Sequence, residues 1–323
     1  MNQVKVALIG AGGMANANHY PSIASFDDVS IVGLCDLDEG RLAQTAEKFA
    51  VERTFSNYRK MLEETRPDAV YVLMPPHHLF DIAMDVIEGG FALFVEKPPA
   101  VTTDQARALG RRAEQKKVVT AVGFQRRYQP VFQTCYQKVK QTGPMQQVVG
   151  SFYKNMAPAD PSPYYRGAID ILHCDAIHVV DAVRYYCGSS PMQAVASEVR
   201  HLDAAYPVSF NALITFENGA VGVVLLNWRT GRRFLKMEYH ALGACGFADI
   251  EGRGTVWKDN EEKPVLDEPF DKDSKEPHVN QGFYAENRAF IDAVKSGRPP
   301  HNSIPDSVFS MELADRIFAS AIN

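Results

Sequence analysis

From Val4 to Phe124 the chain alternates short apolar runs with segments of helical spacing, and this alternation constrains the fold more than any other feature. VKVALI and VSIVGLCD, ending at Gly10 and Asp36, read as strands buried on both faces, with a helix between them over 14–25. The pattern then repeats: helix 39–50, strand DAVYVLM, helix 79–89, strand ALFVEK, helix 103–117 and strand VVTAVGF. Strands and helices in succession with short links predict a doubly wound parallel sheet of the α/β class, here assigned to a domain over 1–123.

The rhythm changes after Phe124. A helix over 130–141 leads through Gly143 and Pro144 into alternating runs, among them QVVGSFYKNM, QAVASEVRHL, SFNALITFENGAVGVVLLNW and KMEYHALG, with a tight turn at ENGA over 217–220. Residues 124–323 are therefore expected to form an α+β domain with a large, open-faced, mostly antiparallel sheet. The polar tract 258–281 reads as a surface loop, and amphipathic helices over 283–296 and 305–321 end the chain, the last of them expected to pack back on the first domain.

Composition narrows the function classes. With 46% hydrophobic and 23% charged residues, 323 residues can bury the cores of two domains. A net charge of -5 argues against binding nucleic acid by bulk electrostatics, and the pairs Arg126-Arg127 and Arg232-Arg233 are too short to reverse it. Five scattered cysteines without a CxxC pair suggest neither a disulfide framework nor a zinc ribbon, so a reducing, cytoplasmic setting is expected. The apolar start VALIGAGGMA runs directly into Asn16, Asn18 and His19, unlike a secretory leader, and no apolar run of about 18 residues predicts a membrane span.

Gly10, Gly12 and Ala15 form G-x-G-x-x-A between a strand and a helix. Gly10 permits the tight turn, Gly12 lets backbone N–H groups approach a pyrophosphate, Ala15 allows close helix packing, and the helix N-terminus attracts phosphate charge. Asp36 closes the next strand about 20 residues later, where a carboxylate accepts hydrogen bonds from ribose hydroxyls and repels a 2′-phosphate. Leu37 and Asp38 follow it with no adjacent Arg, so NAD is favoured over NADP. Gly13, Met14, Pro75, Glu96 and Lys97 complete the candidate cofactor contacts. On these residues alone a Rossmann methyltransferase also stays open.

VEKPPA, residues 95–100, places Glu96 and Lys97 at the carboxyl end of a predicted parallel strand, where open α/β sheets hold ligands. An ordinary Glu-Lys surface pair is the competing reading. Taken with IGAGGMA, CDLDEGRL, VGFQRRYQP, ENGAVGVV and FYAENRAFIDAVKSGRPP, this segment makes the chain resemble, nearly end to end, the oxidoreductases named for glucose-fructose oxidoreductase, inositol dehydrogenase and MocA. The resemblance implies a Rossmann domain followed by an open sheet often used to pair subunits, and NAD(P)-linked hydride transfer on a sugar, polyol or related carbinol. It departs at MPPHHLFD: Leu79 stands where members often carry histidine, Pro76 replaces an asparagine, and His77 and His78 are out of phase, so neither is given a catalytic role.

GAIDILHCDAIHVVDAVRYY, residues 167–186, reads as one helix with Ile169, Leu172, Ala176, Val180, Val183 and Cys187 on its apolar face. His178 falls opposite that stripe, Cys174, Asp175 and Asp181 lie within about 60° of it, and His173 points about 140° away. The two histidines therefore cannot share a metal through this helix, and no metal site is expected. The ordinary reading is a polar face turned to water. The resemblance implies instead that His178 faces the nicotinamide and that an aspartate one turn earlier orients it; Cys174 occupies the i−4 position here, and Asp175 stands at i−3.

The expected catalytic set is thus Lys97, His178 and Asp175, with histidine suited to take a hydroxyl proton and lysine to stabilise alkoxide character. Tyr153, Tyr164, Tyr165, Arg166 and Trp228 are the substrate candidates, chosen as aromatic or cationic groups suited to sugar faces and carboxylates. A homodimer or homotetramer through the open sheet follows from the resemblance. Two other functions fit the same fold: a non-catalytic nucleotide or sugar sensor, and a glycoside-cleaving relative that uses NAD transiently.

Overall fold

The computed structural model describes residues 3–156, 164–199, 206–269 and 276–322. They fall into two compact units, one made of residues 1–125 with 277–308 and the other of residues 126–276 with 309–323.

The first unit is built on six parallel strands, β1 (Val4–Ile9), β2 (Val29–Cys35), β3 (Thr54–Phe55), β4 (Ala69–Val72), β5 (Ala92–Val95) and β6 (Thr120–Val122), in the order β3-β2-β1-β4-β5-β6. The order reverses between β1 and β4, and ligands of such sheets bind at the carboxyl ends beside that point. Strands β4 and β5 are buried along their whole length, the reason they read as unbroken apolar runs. Tyr71 of β4 stacks on Phe94 of β5 at 4.8 Å, and Phe290, from the helix Phe283–Ser296, meets Tyr71 edge-on at 5.3 Å. The returning segment 277–308 thereby completes the core of this unit.

Two elements of this unit escape the sequence pattern. Strand β3 has only two residues, and the helix Tyr58–Thr65, capped by the Asn57 side chain, is charged at half of its positions. The tract 258–281, expected to be a loop, also holds a strand, Leu266–Pro269, and a short helix, Pro277–Asn280.

The second unit contains an eight-stranded sheet: β7 (Met145–Asn155), β8 (Pro191–Glu198), β9 (Ser209–Phe216), β10 (Val221–Asn227), β11 (Arg229–Ala241), β12 (Ala244–Asp249), β13 (Arg253–Lys258) and β14 (Leu266–Pro269). Its order is β14-β13-β12-β11-β7-β10-β9-β8, antiparallel except for β7 beside β10. The helix Ile177–Cys187 covers one face, pressed so close that a Cβ on Gly150 would lie 2.5 Å from Val179 and one on Gly222 2.6 Å from Val183. The opposite face carries a row fixed by strand register, Val195–Leu213–Val223–Val149–Glu238–Phe247. Val195 and Leu213 in that row are more than half exposed. Tyr153 belongs to this outward set, since it alternates with the buried Phe152 along β7.

Candidate functional site

In the first unit the glycine turn has the conformation its sequence demands. Gly10 sits at φ +111°, and a Cβ there would lie 2.3 Å from the Leu73 carbonyl oxygen at the end of β4. By contrast, a Cβ on Gly12 or Gly13 would meet nothing within 4 Å, so the turn leaves an open cradle at the start of the helix Gly13–Ala24. Gly12 caps that helix without any side-chain hydrogen bond, so the N–H groups of the first turn are presented to the cradle, while Ala15 is buried below. Met14 lies on the exposed side.

Asp36 joins the turn to the second strand. One carboxylate oxygen accepts the Ala11 N–H at 2.6 Å and the other the Asp38 N–H at 2.8 Å. Each oxygen keeps a further lone pair, which is what a ribose hydroxyl requires. A cavity of about 410 Å³ opens here, lined by Gly10, Gly12, Asp36 and Leu37 on one side and by Leu73, Met74 and Pro75 on the other. Tyr58, Arg41 and Arg59 also line it, which sequence reasoning missed. Arg41 pairs with Asp38 at 3.2 Å, and Arg59 pairs with Asp85 at 2.7 Å while covering the Tyr58 ring. The open cradle, the acceptor at Asp36 and the apolar wall fit a dinucleotide.

Glu96 and Lys97 follow β5 directly, at the carboxyl end of the sheet. Glu96 is buried, and its Oε2 accepts the Lys97 N–H at 3.1 Å. Its Oε1 lies 2.7 Å from Nε2 of His19, another residue that the sequence reading gave no role. The signal was available: His19 shares the inward face of its helix with Ala15, Ser22 and Ile23, and a histidine on a buried face needs polar partners.

In the second unit the segment 167–186 is not one regular α-helix: a continuous helix runs from 171 to 187, but its first turn is π-wound. A 3₁₀ turn, Tyr165–Gly167, precedes a π-helical turn, Leu172–Ala176, and only Ile177–Cys187 is α-helical. The wheel drawn at a constant 100° fails across the π turn, and the expectation of a wet polar face fails with it. His173, Cys174, Asp175, His178 and Asp181 are all buried. Buried polar groups need partners, and Asp175 has two. Asp175 Oδ2 accepts the Tyr164 hydroxyl at 2.7 Å and contacts Lys154 Nζ. Burial first, then the Asp175 charge and hydrogen bond, push the Tyr164 phenol well above its ordinary range, so it stays a donor.

Trp228 is fully buried, donating its Nε1 to the Tyr164 oxygen at 3.3 Å and packing on Phe152 at 5.1 Å. It is a supporting wall and not a surface that substrate can touch, a correction to its sequence assignment. Tyr153 lies on the face of the sheet opposite the Lys154 side chain. Tyr165 is exposed beside this cluster, and Arg166 lies in the same turn, its side chain outside the described residues. Lys154, whose Nζ lies 5.1 Å from the Phe152 ring, was missed because a lone lysine near a strand end looks like edge solvation.

His173 sits between two carboxylates, Nδ1 at 2.7 Å from Asp170 and Nε2 at 3.0 Å from Asp315. Burial alone would press its pKa down, but the hydrogen bonds and charges of both aspartates outweigh it and raise it to about 9. A group raised on folding stabilises fully below its unfolded value and loses that contribution as pH climbs through the folded one. The melting temperature of wild type is therefore expected to fall between about pH 6.5 and 9 more steeply than that of His173→Gln. Parallel curves for the two proteins in differential scanning calorimetry would show the bridge to be uncharged.

Among the described residues no group of three His, Cys, Asp or Glu side chains could hold a metal ion, and no helix is long and apolar enough to cross a membrane. Residues 4–124 match the family model described as an oxidoreductase family with an NAD-binding Rossmann fold. Myo-inositol 2-dehydrogenase of Thermotoga maritima is 23% identical over 326 residues, 96% of this chain and 94% of that protein. Residues 4–124 carry the NAD-binding Rossmann fold of the Gfo/Idh/MocA oxidoreductases. A further relative is scyllo-inositol 2-dehydrogenase (NAD(+)) of Bacillus subtilis, 24% identical over 69% of this chain and 67% of that one. Among solved structures, a dehydrogenase from Chromobacterium violaceum superposes with a TM-score of 0.90 at 21% identity, covering 100% of this chain and 96% of that one, which shows that the fold is shared. The cradle, Asp36 and the E-K-P turn fall within the matched segment.

Proposed function

We propose that this protein is an NAD-dependent dehydrogenase that oxidises a secondary alcohol of a sugar or polyol, or reduces the corresponding ketone. The observation that carries the reading is the Gly10–Gly12 cradle with Asp36 held at its side, an NAD-binding arrangement in a chain of an oxidoreductase family. The inositol dehydrogenases among its relatives support the substrate class. When bound, NAD accepts the carbinol hydride.

The chain's own residues supply the rest. Lys97 hydrogen-bonds the carbinol oxygen and stabilises negative charge as the O–H proton leaves. His178 exchanges that proton, and Asp175, held by Lys154 and Tyr164, fixes the polarity around it. Tyr164, Tyr165 and Arg166 are kept as substrate contacts. A cytoplasmic setting is supported by the free thiols of all five cysteines.

The test is a fluorescence titration of wild type and Asp36→Ala with NADH and NADPH, followed by a sugar and polyol panel read at the NADH absorbance band. Asp36→Ala is expected to weaken NADH by about tenfold to a hundredfold, the size of one or two charge-assisted hydrogen bonds, and to narrow the preference over NADPH. Unchanged NADH affinity in the variant removes the cofactor reading. Binding without turnover of any carbinol would instead make the protein a sensor.

The apolar row Val195–Leu213–Val223–Val149 on the open sheet supports a homodimer or homotetramer, because contiguous exposed apolar rows mark association surfaces. Light scattering after size exclusion should give a multiple of the 35.9 kDa chain mass, and Leu213→Asp should reduce it to the monomer. A monomeric wild type at micromolar concentration would remove this surface from consideration.

A further inference from the structure

His19 and Glu96 form a closed pair beneath Lys97. His19 is fully buried, and Nδ1 lies 3.1 Å from Asn287 Oδ1. The Asn287 amide is oriented by its own donation to the Phe283 carbonyl at 2.8 Å, so its oxygen faces the histidine and Nδ1 must be the donor. On the other side Nε2 faces Glu96 Oε1 at 2.7 Å, a separation that two bare acceptors cannot hold. One more proton therefore lies between them. Whether it resides on nitrogen or oxygen, His19 and Glu96 together carry no net charge.

The surroundings keep the pair dry and fixed. Phe94 and Phe283 flank the imidazole at 5.2 and 5.3 Å, and a Cβ on Gly123 would lie 2.9 Å from Glu96 Oε1, leaving the carboxylate no room to swing. The titratable groups on the neighbouring elements are Tyr71, whose phenol burial keeps protonated, and Glu286 and Arg288 on the helix of Asn287. Glu286 lies 3.5 Å from the Asn302 amide, and Arg288 pairs with Asp28 and Asp292. On the far side Glu96 Oε2 accepts the Lys97 N–H at 3.1 Å.

We infer that His19 is a positioning residue for Lys97: it fixes the Glu96 carboxylate so that Oε2 anchors the Lys97 backbone, and it cancels the charge that Glu96 would otherwise place one residue from the Lys97 ammonium. This rests on the reading of Lys97 as the group that binds the substrate oxygen. Glu96 is thus the partner of His19 and of the backbone, in place of the surface ion pair that Glu-Lys neighbours usually form.

The test compares His19→Gln, Glu96→Gln, the double variant and Lys97→Ala in the full chain, measuring NADH affinity and the pH profile of kcat on whichever carbinol wild type oxidises. In His19→Gln the buried carboxylate is left uncancelled, so kcat should fall about tenfold with little change in KM, and the limb of the profile that depends on Lys97 should move up by about one pH unit. The double variant should return the limb to its wild-type position, because neutrality is restored. Equal losses in all three variants with the limb unmoved would mean that the pair is only structural and would overturn the inference. Full turnover in Lys97→Ala would instead remove the underlying reading, whatever the His19 variants do. Should His19→Gln fail to fold, ¹⁵N and ¹H resonances of the wild-type imidazole decide: protons on or hydrogen-bonded to both ring nitrogens are expected, and an Nε2 without one overturns the proposal.

Discussion

Lys97→Ala is expected to bind NADH within about threefold of wild type while losing roughly 10² to 10⁴ of kcat, the range attributed to one positioned acid/base or oxyanion-stabilising group. The separation follows from geometry within the first unit. The cofactor cradle is made by the turn at Gly10–Gly12 and by Asp36, whereas Lys97 leaves the sheet after β5, its backbone held by Glu96. Removing an interaction that strengthens only as the substrate oxygen gains charge lowers kcat and kcat/KM together, whereas removing one made equally to bound substrate raises KM alone. Lys97→Arg should recover only part of the rate, since a planar guanidinium cannot place its charge where a compact ammonium does. His178→Gln, tested beside it, should lower kcat by a comparable factor and remove the limb due to histidine. A Lys97→Ala enzyme with unaltered kcat would end the catalytic reading of the E-K-P turn.

How much of this was legible in sequence depended on whether burial left a periodic mark. VKVALI and ALFV are buried on both faces and read directly as parallel strands. Alternation likewise exposed β9 and β10, and ENGA their turn, where Gly219 takes φ +82°. What periodicity does not carry is the difference between a polar residue facing water and one facing another polar residue. His19, Asp181 and Arg127 all count as polar on a wheel, yet each is buried with a partner far away in sequence. The π turn at Leu172–Ala176 hid the site further, because it rotates every position before Ile177 relative to those after it. Glu96 and Lys97 could be singled out in sequence because the end of a parallel strand is a place that topology defines. Lys154 was not, because its significance depends on Asp175, 21 residues away.

Arg126 and Arg127 illustrate the same limit, and Arg127 supports the second large prediction. Read as a short basic pair, both are in fact buried. Arg127 Nε donates to Asp181 Oδ2 at 2.7 Å, its second nitrogen reaches Oδ1, and its guanidinium covers the Tyr185 ring at 4.9 Å. Ser310 donates to the same carboxylate at 2.6 Å, and Arg184 stands 3.8 Å away. Asp181→Ala therefore leaves Arg127 without its main counter-charge in a dry site, and breaking such a pair from one side typically costs about 3–5 kcal/mol. At about 2–4 °C per kcal/mol for a unit of this size, the transition of the second unit should fall by roughly 6–20 °C. Replacing both ends together, as Arg127→Met with Asp181→Leu, should recover most of that loss, because hydrophobic groups of similar volume carry no desolvation cost. Calorimetry resolves the two cases, and a single variant melting within about 2 °C of wild type would mean that water reaches Arg127 and takes over the role of Asp181.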